Sequence, residues 1–236
     1  MSIKKNYFIS KWDQSYGRGD NNLLFPSEEV VKFLNRYIKK KKNLNGDYEE
    51  ILKNISSKQL KALDFGCGAG RQTILLSEFD IKGYGLDISK VAINMAKKNA
   101  ISLGYRELIN NFYVIENNRI PFKNNFFDFS IAECSLDSMP FSDAKEIFKE
   151  IKRVTKKYIY FSLISSGDKE YNSLSNEVIV SKKLEKGSTQ SYFNKKKILK
   201  LIDSDKSKLI YLRKKIEKGI NENFFDARYY CIFKKK

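Results

Sequence analysis

The stretch Ala62-Leu63-Asp64-Phe65-Gly66-Cys67-Gly68-Ala69-Gly70-Arg71 decides the fold. Residues 60–65 form a short run of strand character that ends in glycines, and residues 71–79 have helical spacing. Glycines between a strand and a helix let the backbone turn sharply and let a ligand approach with no Cβ in the way. A dinucleotide fingerprint needs G-x-G-x-x-G. Here the third glycine falls one residue early and Arg71 takes its place, which argues against a nicotinamide dinucleotide. The G-K-[ST] ending of a triphosphate-binding loop is missing as well.

Downstream of this turn the pattern repeats. Strands are expected at 82–86, 112–115, 126–132 and 158–164, with helices at 89–102 and 144–154. Ile147, Phe148, Ile151 and Val154 share one face of the second helix. Strands alternating with helices imply right-handed βαβ units on a largely parallel sheet. Asn194 can cap a helix over 195–202. Strands at 209–215 and 227–233 close the chain as antiparallel neighbours.

Upstream, residues 1–26 carry aromatics, a Gly17-Arg18-Gly19 turn and a stop at Pro26. Ser27 can cap a helix starting at Glu28, with Val30, Phe33, Leu34, Tyr37 and Ile38 on its apolar face. Residues 41–57 read as a loop plus a short helix. Residues 165–189 are polar and too long for an ordinary connection, as expected of a lid or insertion. One domain over 1–236 is expected. It divides into an N-terminal helical cap segment (1–57), a ligand-binding core (58–164), an insertion (165–193) and a closing helix and hairpin (194–236).

The composition narrows the chemistry. The 236 residues contain no His, which removes Ser-His-Asp and Cys-His nucleophile systems and His-ligated metals. Cys67, Cys134 and Cys231 are far apart and odd in number, so neither a zinc site nor a disulfide framework is expected, and a reduced cytoplasmic setting is. No apolar stretch has the length of a membrane span. The net charge of +17 comes from 45 basic and 28 acidic side chains. Most of the basic ones are Lys, a residue with A/T-rich codons, and Arg, the better phosphate reader, is scarce.

About twenty residues beyond the glycines, Asp87 ends the second strand. A carboxylate there can accept hydrogen bonds from both ribose hydroxyls of an adenosine. Its other reading is a cap for the next helix, a task that Ser89 serves better.

At these positions the chain resembles the class I S-adenosylmethionine-dependent methyltransferases. Asp64, Gly66, Gly68 and Gly70 match the family's acid followed by G-x-G-x-G. Glu116-Asn117-Asn118-Arg119-Ile120-Pro121-Phe122 and then Phe127-Asp128 match its next motif, and the resemblance covers about 58–164. It implies a Rossmann-like α/β fold: a seven-stranded, mostly parallel sheet with helices on both faces and the last strands antiparallel. It implies S-adenosylmethionine as cofactor and S-adenosylhomocysteine as product. The glycine loop would pass the methionine part, Asp87 would hold the ribose, and Glu116 with Asn117 would face the adenine amine. With Cys67, Arg71, Ile88 and Glu133 these residues make the expected cofactor site. The N-terminal Trp12, Tyr16 and Gly17 are similar to the opening of methyltransferases of the tellurite-resistance and thiopurine type. That resemblance lays aromatics over the cofactor and lets Arg18 pair with its carboxylate.

The fourth strand ends in Glu133-Cys134-Ser135-Leu136-Asp137-Ser138-Met139-Pro140, which should meet the transferred methyl. The [DN]-P-P-[YF] motif of adenine and glutamine methyltransferases is missing there. Cys134 lacks the context of a catalytic cysteine and reads as a small buried residue. Asp137 and Glu133 are the candidate bases, Asp137 the better placed; a helix cap is its other reading. Trp12, Tyr16, Asp137, Tyr192 and Phe193 are expected to line a modest acceptor pocket. The expected partner is a small-molecule acceptor, met by a monomer or homodimer with no membrane. An RNA or protein acceptor on the Lys-rich surface is the second expectation.

Overall fold

The computed structural model describes residues 3–43, 46–53, 59–116, 118–166, 177–181, 185–203, 208–220 and 225–235. Helix α1 (Ile3–Gly17) is followed by α2 (Glu28–Phe33), which runs into a π-helical turn at Leu34–Ile38. Strands β1 (Lys39–Lys41) and β2 (Tyr48–Glu50) come next. The core is β3 (Lys61–Phe65), α3 (Arg71–Glu78), β4 (Lys82–Asp87), α4 (Lys90–Ser102), β5 (Phe112–Val114), β6 (Phe127–Ala132), α5 (Phe141–Val154) and β7 (Thr155–Ile164). Strands β8 (Glu177–Ile179) and β9 (Thr189–Ser191), helix α6 (Lys195–Leu201) and strands β10 (Leu209–Lys218) and β11 (Phe225–Lys234) complete the chain.

The main sheet has seven strands in the order β10-β11-β7-β6-β3-β4-β5. Strands β3 to β7 pair in parallel, and β10 and β11 are antiparallel, β11 pairing with β7. This is the expected seven-stranded architecture. Among the parallel strands chain order runs outward in both directions from β3, so the switch point lies between β3 and β6. In open α/β sheets ligands bind there, beyond the carboxyl ends of the strands.

Period-two alternation sorts the core onto both faces. Leu63, Phe65, Phe161 and Leu163 pack with Phe148 and Ile151 of α5 and Ile198 of α6. Ala62, Phe129, Ile131 and Tyr160 pack with Phe33 of α2 and Leu76 of α3. Phe127, Phe129, Phe148 and Phe161 are wholly buried, and each such side chain contributes about 1.5–3 kcal/mol.

Local chemistry sets the boundaries. Ser89 caps α4 by accepting from the Ala92 amide at 3.0 Å, and Asn194 caps α6 from Lys197 at 2.9 Å, both as expected. Ser27 occupies the cap position of α2 without a side-chain bond. Asp128 accepts from the Lys61 amide at 2.8 Å and from Lys156 at 2.7 Å, a strand-entry clamp.

Within 41–57, where a loop and a short helix are expected, the described residues form the β1–β2 hairpin and no helix, and 44–45 and 54–57 lie outside the described residues. Gly46 has φ +94°, and Lys42 donates to the Asp47 carbonyl at 2.8 Å. Asn-Gly between two polar runs is a hairpin signal. The register sets Lys39 opposite Glu50, where their side chains pair at 3.3 Å.

Candidate functional site

Beyond Phe65 the chain turns through Gly66 (φ +69°) and Gly68 (φ +53°) before α3. Both conformations favour glycine, and both positions are crowded. A Cβ on Gly66 would run into the Ser135 side chain, and one on Gly68 into the Tyr16 hydroxyl. The Gly66 and Cys67 amides donate to the Leu86 carbonyl at 2.7 and 3.0 Å, which ties the loop to the end of β4.

Asp87 ends β4 beside this loop. Its Oδ2 accepts from the Gly68 amide and its Oδ1 from the Ser89 amide, each at 2.9 Å. Burial raises its pKa, and the amides of Ser89, Gly68 and Ile88 pull it back. Asp64 accepts from Thr73 Oγ1 at 2.7 Å. Burial pushes its pKa up to about 7, against the Thr73 bond and the Arg71 charge.

A cavity of about 1060 Å³ opens at the carboxyl ends of β3, β4 and β6. Helix α1 supplies one wall through Ile9, Trp12 and Tyr16. It is docked by Asp13, which accepts from Ser89 Oγ at 2.6 Å and from the Val91 amide at 3.2 Å. The turn after β6 supplies Ser135 and Met139, the insertion supplies Glu177 and Glu185, and β11 supplies Arg228. Glu177 also caps α5, accepting from the Phe141 amide at 2.7 Å.

Of the residues expected at the site, Trp12, Tyr16, Asp64, Gly66, Cys67, Gly68, Arg71, Asp87, Ile88 and Glu133 come together on this cavity. Gly70 stands behind it as the N-cap of α3, packed against Ala96 and Phe112. Glu116 is exposed and off the wall, and Asn117 lies outside the described residues. Arg18 turns back onto Asp20, with Nη2 2.6 Å from Oδ2, so it does not face the cavity.

Asp137 does not line the cavity. It is 2% exposed, and its Oδ2 accepts from the Ile164 amide at 2.7 Å and from Arg228 Nη1 at 2.9 Å. The expectation that it faces substrate is corrected: it sits behind Arg228. Phe193 is also off the wall, wholly buried and edge-on to Phe141 at 5.9 Å. Tyr192 directs its hydroxyl to Gln190 Oε1 at 3.1 Å and is likewise off it.

The structure adds Gln72, Ser135, Glu185 and Arg228 to the site. Ser135 lies in the stretch expected at the end of the fourth strand, and Arg228 shows in the sequence as a charge within the otherwise aromatic and apolar run Ala227-Arg228-Tyr229-Tyr230. Burial works against the Arg228 charge, but Asp137, Cys134 and Glu133 outweigh it and leave its pKa raised. Burial and then the Asp137 charge raise the pKa of Glu185. The Tyr16 phenol is raised by burial and then by Asp87. Burial, followed by the Glu133 charge, pushes the Cys134 thiol up to about 12, so it is no nucleophile near neutral pH.

Several wall atoms are buried without a protein partner: both amide atoms of Gln72, Glu133 Oε2 and Ser135 Oγ. A buried polar atom left unpaired costs about 1–3 kcal/mol. Their clustering on one cavity suits a polar ligand.

Residues 56–219 match the sequence profile of a family described as a methyltransferase domain. The chain belongs to this methyltransferase family. S-adenosylmethionine is its cofactor, and the site fits one: a glycine cradle, a strand-end carboxylate and orphaned polar atoms on the same cavity. No curated protein is similar to the chain in sequence.

Solved structures share the fold of the methyltransferase. An S-adenosylmethionine-dependent methyltransferase from Methanosarcina mazei is 22% identical and has a TM-score of 0.63, the match covering 80% of this chain and 98% of that one. Another, from Anabaena variabilis, is 15% identical with a TM-score of 0.60, covering 97% and 95%. The magnesium protoporphyrin IX methyltransferase of Synechocystis, with its cofactor bound, is 17% identical with a TM-score of 0.50, covering 74% and 70%.

Proposed function

We propose that this methyltransferase transfers a methyl group to an oxygen or nitrogen of a small molecule. The observation that carries the reading is that the cavity is walled on two sides beyond the sheet. Helix α1 closes one side, and Glu177 and Glu185 of the insertion stand on another. A volume of about 1060 Å³ is at the upper end of the ~300–1,000 Å³ common for small-ligand sites, which suits a cofactor with a small acceptor beside it. The placement of Trp12 and Tyr16 also agrees with an N-terminus of the tellurite-resistance and thiopurine type.

In this reading Asp87 would take the ribose hydroxyls, Ile88 and Ile115 would flank the adenine, and Asp64, Gly66 and Gly68 would border the methionine part. The cofactor supplies a methyl on a sulfonium, a leaving group that needs no further activation. The protein therefore contributes mainly by positioning, which is worth up to about 7–11 kcal/mol of the barrier. Glu133, at the end of β6 with Oε2 unpaired, is the group placed to take a proton from the acceptor. Asp137 is a positioning residue that holds Arg228.

Methyl-labelled cofactor added to a fractionated extract of the source cell tests this. Label in small molecules is the expected result. Label confined to nuclease- or protease-sensitive polymer overturns the reading and assigns function to the Lys-rich surface.

A further inference from the structure

The chain carries +17, yet its cavity is acidic. Among the described residues that line it, Asp64, Asp87, Glu133, Asp143, Glu177 and Glu185 stand against Arg71 and Arg228, with no Lys. Arg228 brings little net charge, because its guanidinium is paired at 2.9 Å with Asp137, whose side chain is 3% exposed. Arg71 donates to the Phe25 carbonyl at 3.2 Å. Asp64 and Asp87 stand at the glycine loop. Glu177 is engaged at the Phe141 amide and Asp143 stands in the first turn of α5, which leaves Glu133 and Glu185 to face the remainder of the cavity.

A second observation points to a ligand in the same place. Ser135 is 7% exposed and Gln72 3% exposed, both on the wall, and neither side chain has a protein partner. Glu133 Oε2 is buried without a hydrogen bond inside the protein, and the Tyr160 hydroxyl, equally unpaired, stands beside the carboxylate. A carboxylate oxygen in that position is satisfied by a donor arriving with the ligand, and a cationic N–H gives the stronger, charge-assisted bond. Trp12, Met139, Pro140 and Ile147 offer apolar surface alongside.

We infer that the acceptor is an amine, bound as its cation by Glu133 and Glu185 with an apolar body against Trp12 and Met139. The inference rests on the small-molecule reading above and names its substrate class. On transfer the ammonium gives one proton to Glu133, and the freed nitrogen lone pair bonds the methyl carbon. The carbon–sulfur bond breaks with its electron pair left on sulfur. The products are the methylated ammonium and a thioether, and the proton on Glu133 passes to water.

Three probes of matched size test the charge: phenethylamine, 2-phenylethanol and 3-phenylpropionate. Each is titrated calorimetrically into the protein saturated with S-adenosylhomocysteine. The amine should bind at least about tenfold tighter than the alcohol, as expected for a charge-assisted hydrogen bond, with the carboxylate weakest. Glu185→Gln should remove about tenfold of the amine affinity and leave S-adenosylhomocysteine affinity within about twofold. Equal affinities, a preference for the carboxylate, no binding by any probe, or equal losses of amine and S-adenosylhomocysteine affinity in Glu185→Gln overturn the inference. The underlying reading fails separately, when labelled methyl enters only polymer in the extract.

Discussion

Arg228 of β11 donates from Nη1 to Asp137 Oδ2 at 2.9 Å, and the same oxygen accepts the Ile164 amide at 2.7 Å. One carboxylate thus joins the turn after β6 to the ends of β7 and β11. Removing one partner of a buried ion pair typically costs about 3–5 kcal/mol, because the other charge is left uncompensated. Asp137→Ala should therefore lower unfolding free energy by about that amount in urea titrations. The double change Asp137→Leu with Arg228→Met should recover most of the loss. A single-variant cost near zero would show that the pair bears no stability.

Gly68→Ala should destabilise the fold by about 1–3 kcal/mol, since alanine is strained at φ +53° and its Cβ meets the Tyr16 hydroxyl. Adding Tyr16→Phe removes the collision and should return part of that loss. Additive costs of the two substitutions in denaturation experiments would mean that Tyr16 does not press on the loop.

Asp64 makes stability depend on pH. Its folded pKa of about 7 lies above the ordinary aspartate value, so between about pH 4 and 7 the folded state holds the extra proton. Stability contributed by this group is highest below pH 4 and falls as pH rises to 7, by an amount on the order of 4 kcal/mol. Asp64→Asn keeps an acceptor for Thr73 and removes the titration. The difference in unfolding free energy between variant and wild type should grow in favour of the variant across that window. A pH-independent difference would place the Asp64 pKa near its unfolded value.

Much of the glycine-loop end of the cavity is legible in the sequence because it is local. Asp64, Gly66, Gly68 and Asp87 fall within one βαβ unit, and strand ends and helix starts fix where each side chain lies. The opposite end is not local. Ile9, Ser135, Glu185 and Arg228 meet only when α1, the insertion and β11 have packed on the sheet. The turn after β6 shows the difficulty at its sharpest. Cys134 takes φ +53°, which ends the period-two alternation. Ser135 then packs against Gly66 and Asp137 against Arg228. No spacing rule tells those two residues apart, and the structure puts Ser135 rather than Asp137 on the cavity wall. Asn45-Gly46, a dipeptide typical of turns, lies between β1 and β2 in an otherwise polar stretch with no strand-like alternation.

The most direct measurement is calorimetric titration of S-adenosylmethionine into the wild-type protein and into Asp87→Ala. Asp87 has both oxygens turned to backbone amides beside the glycine loop. A pair of hydrogen bonds to a charged group, at about 1.5–3 kcal/mol each, corresponds to a loss on the order of a hundredfold or more. One-to-one binding by the wild type and that loss in the variant are predicted. Unchanged affinity in Asp87→Ala, with the variant shown to be folded, would contradict the placement of the cofactor at the carboxyl ends of β3 and β4.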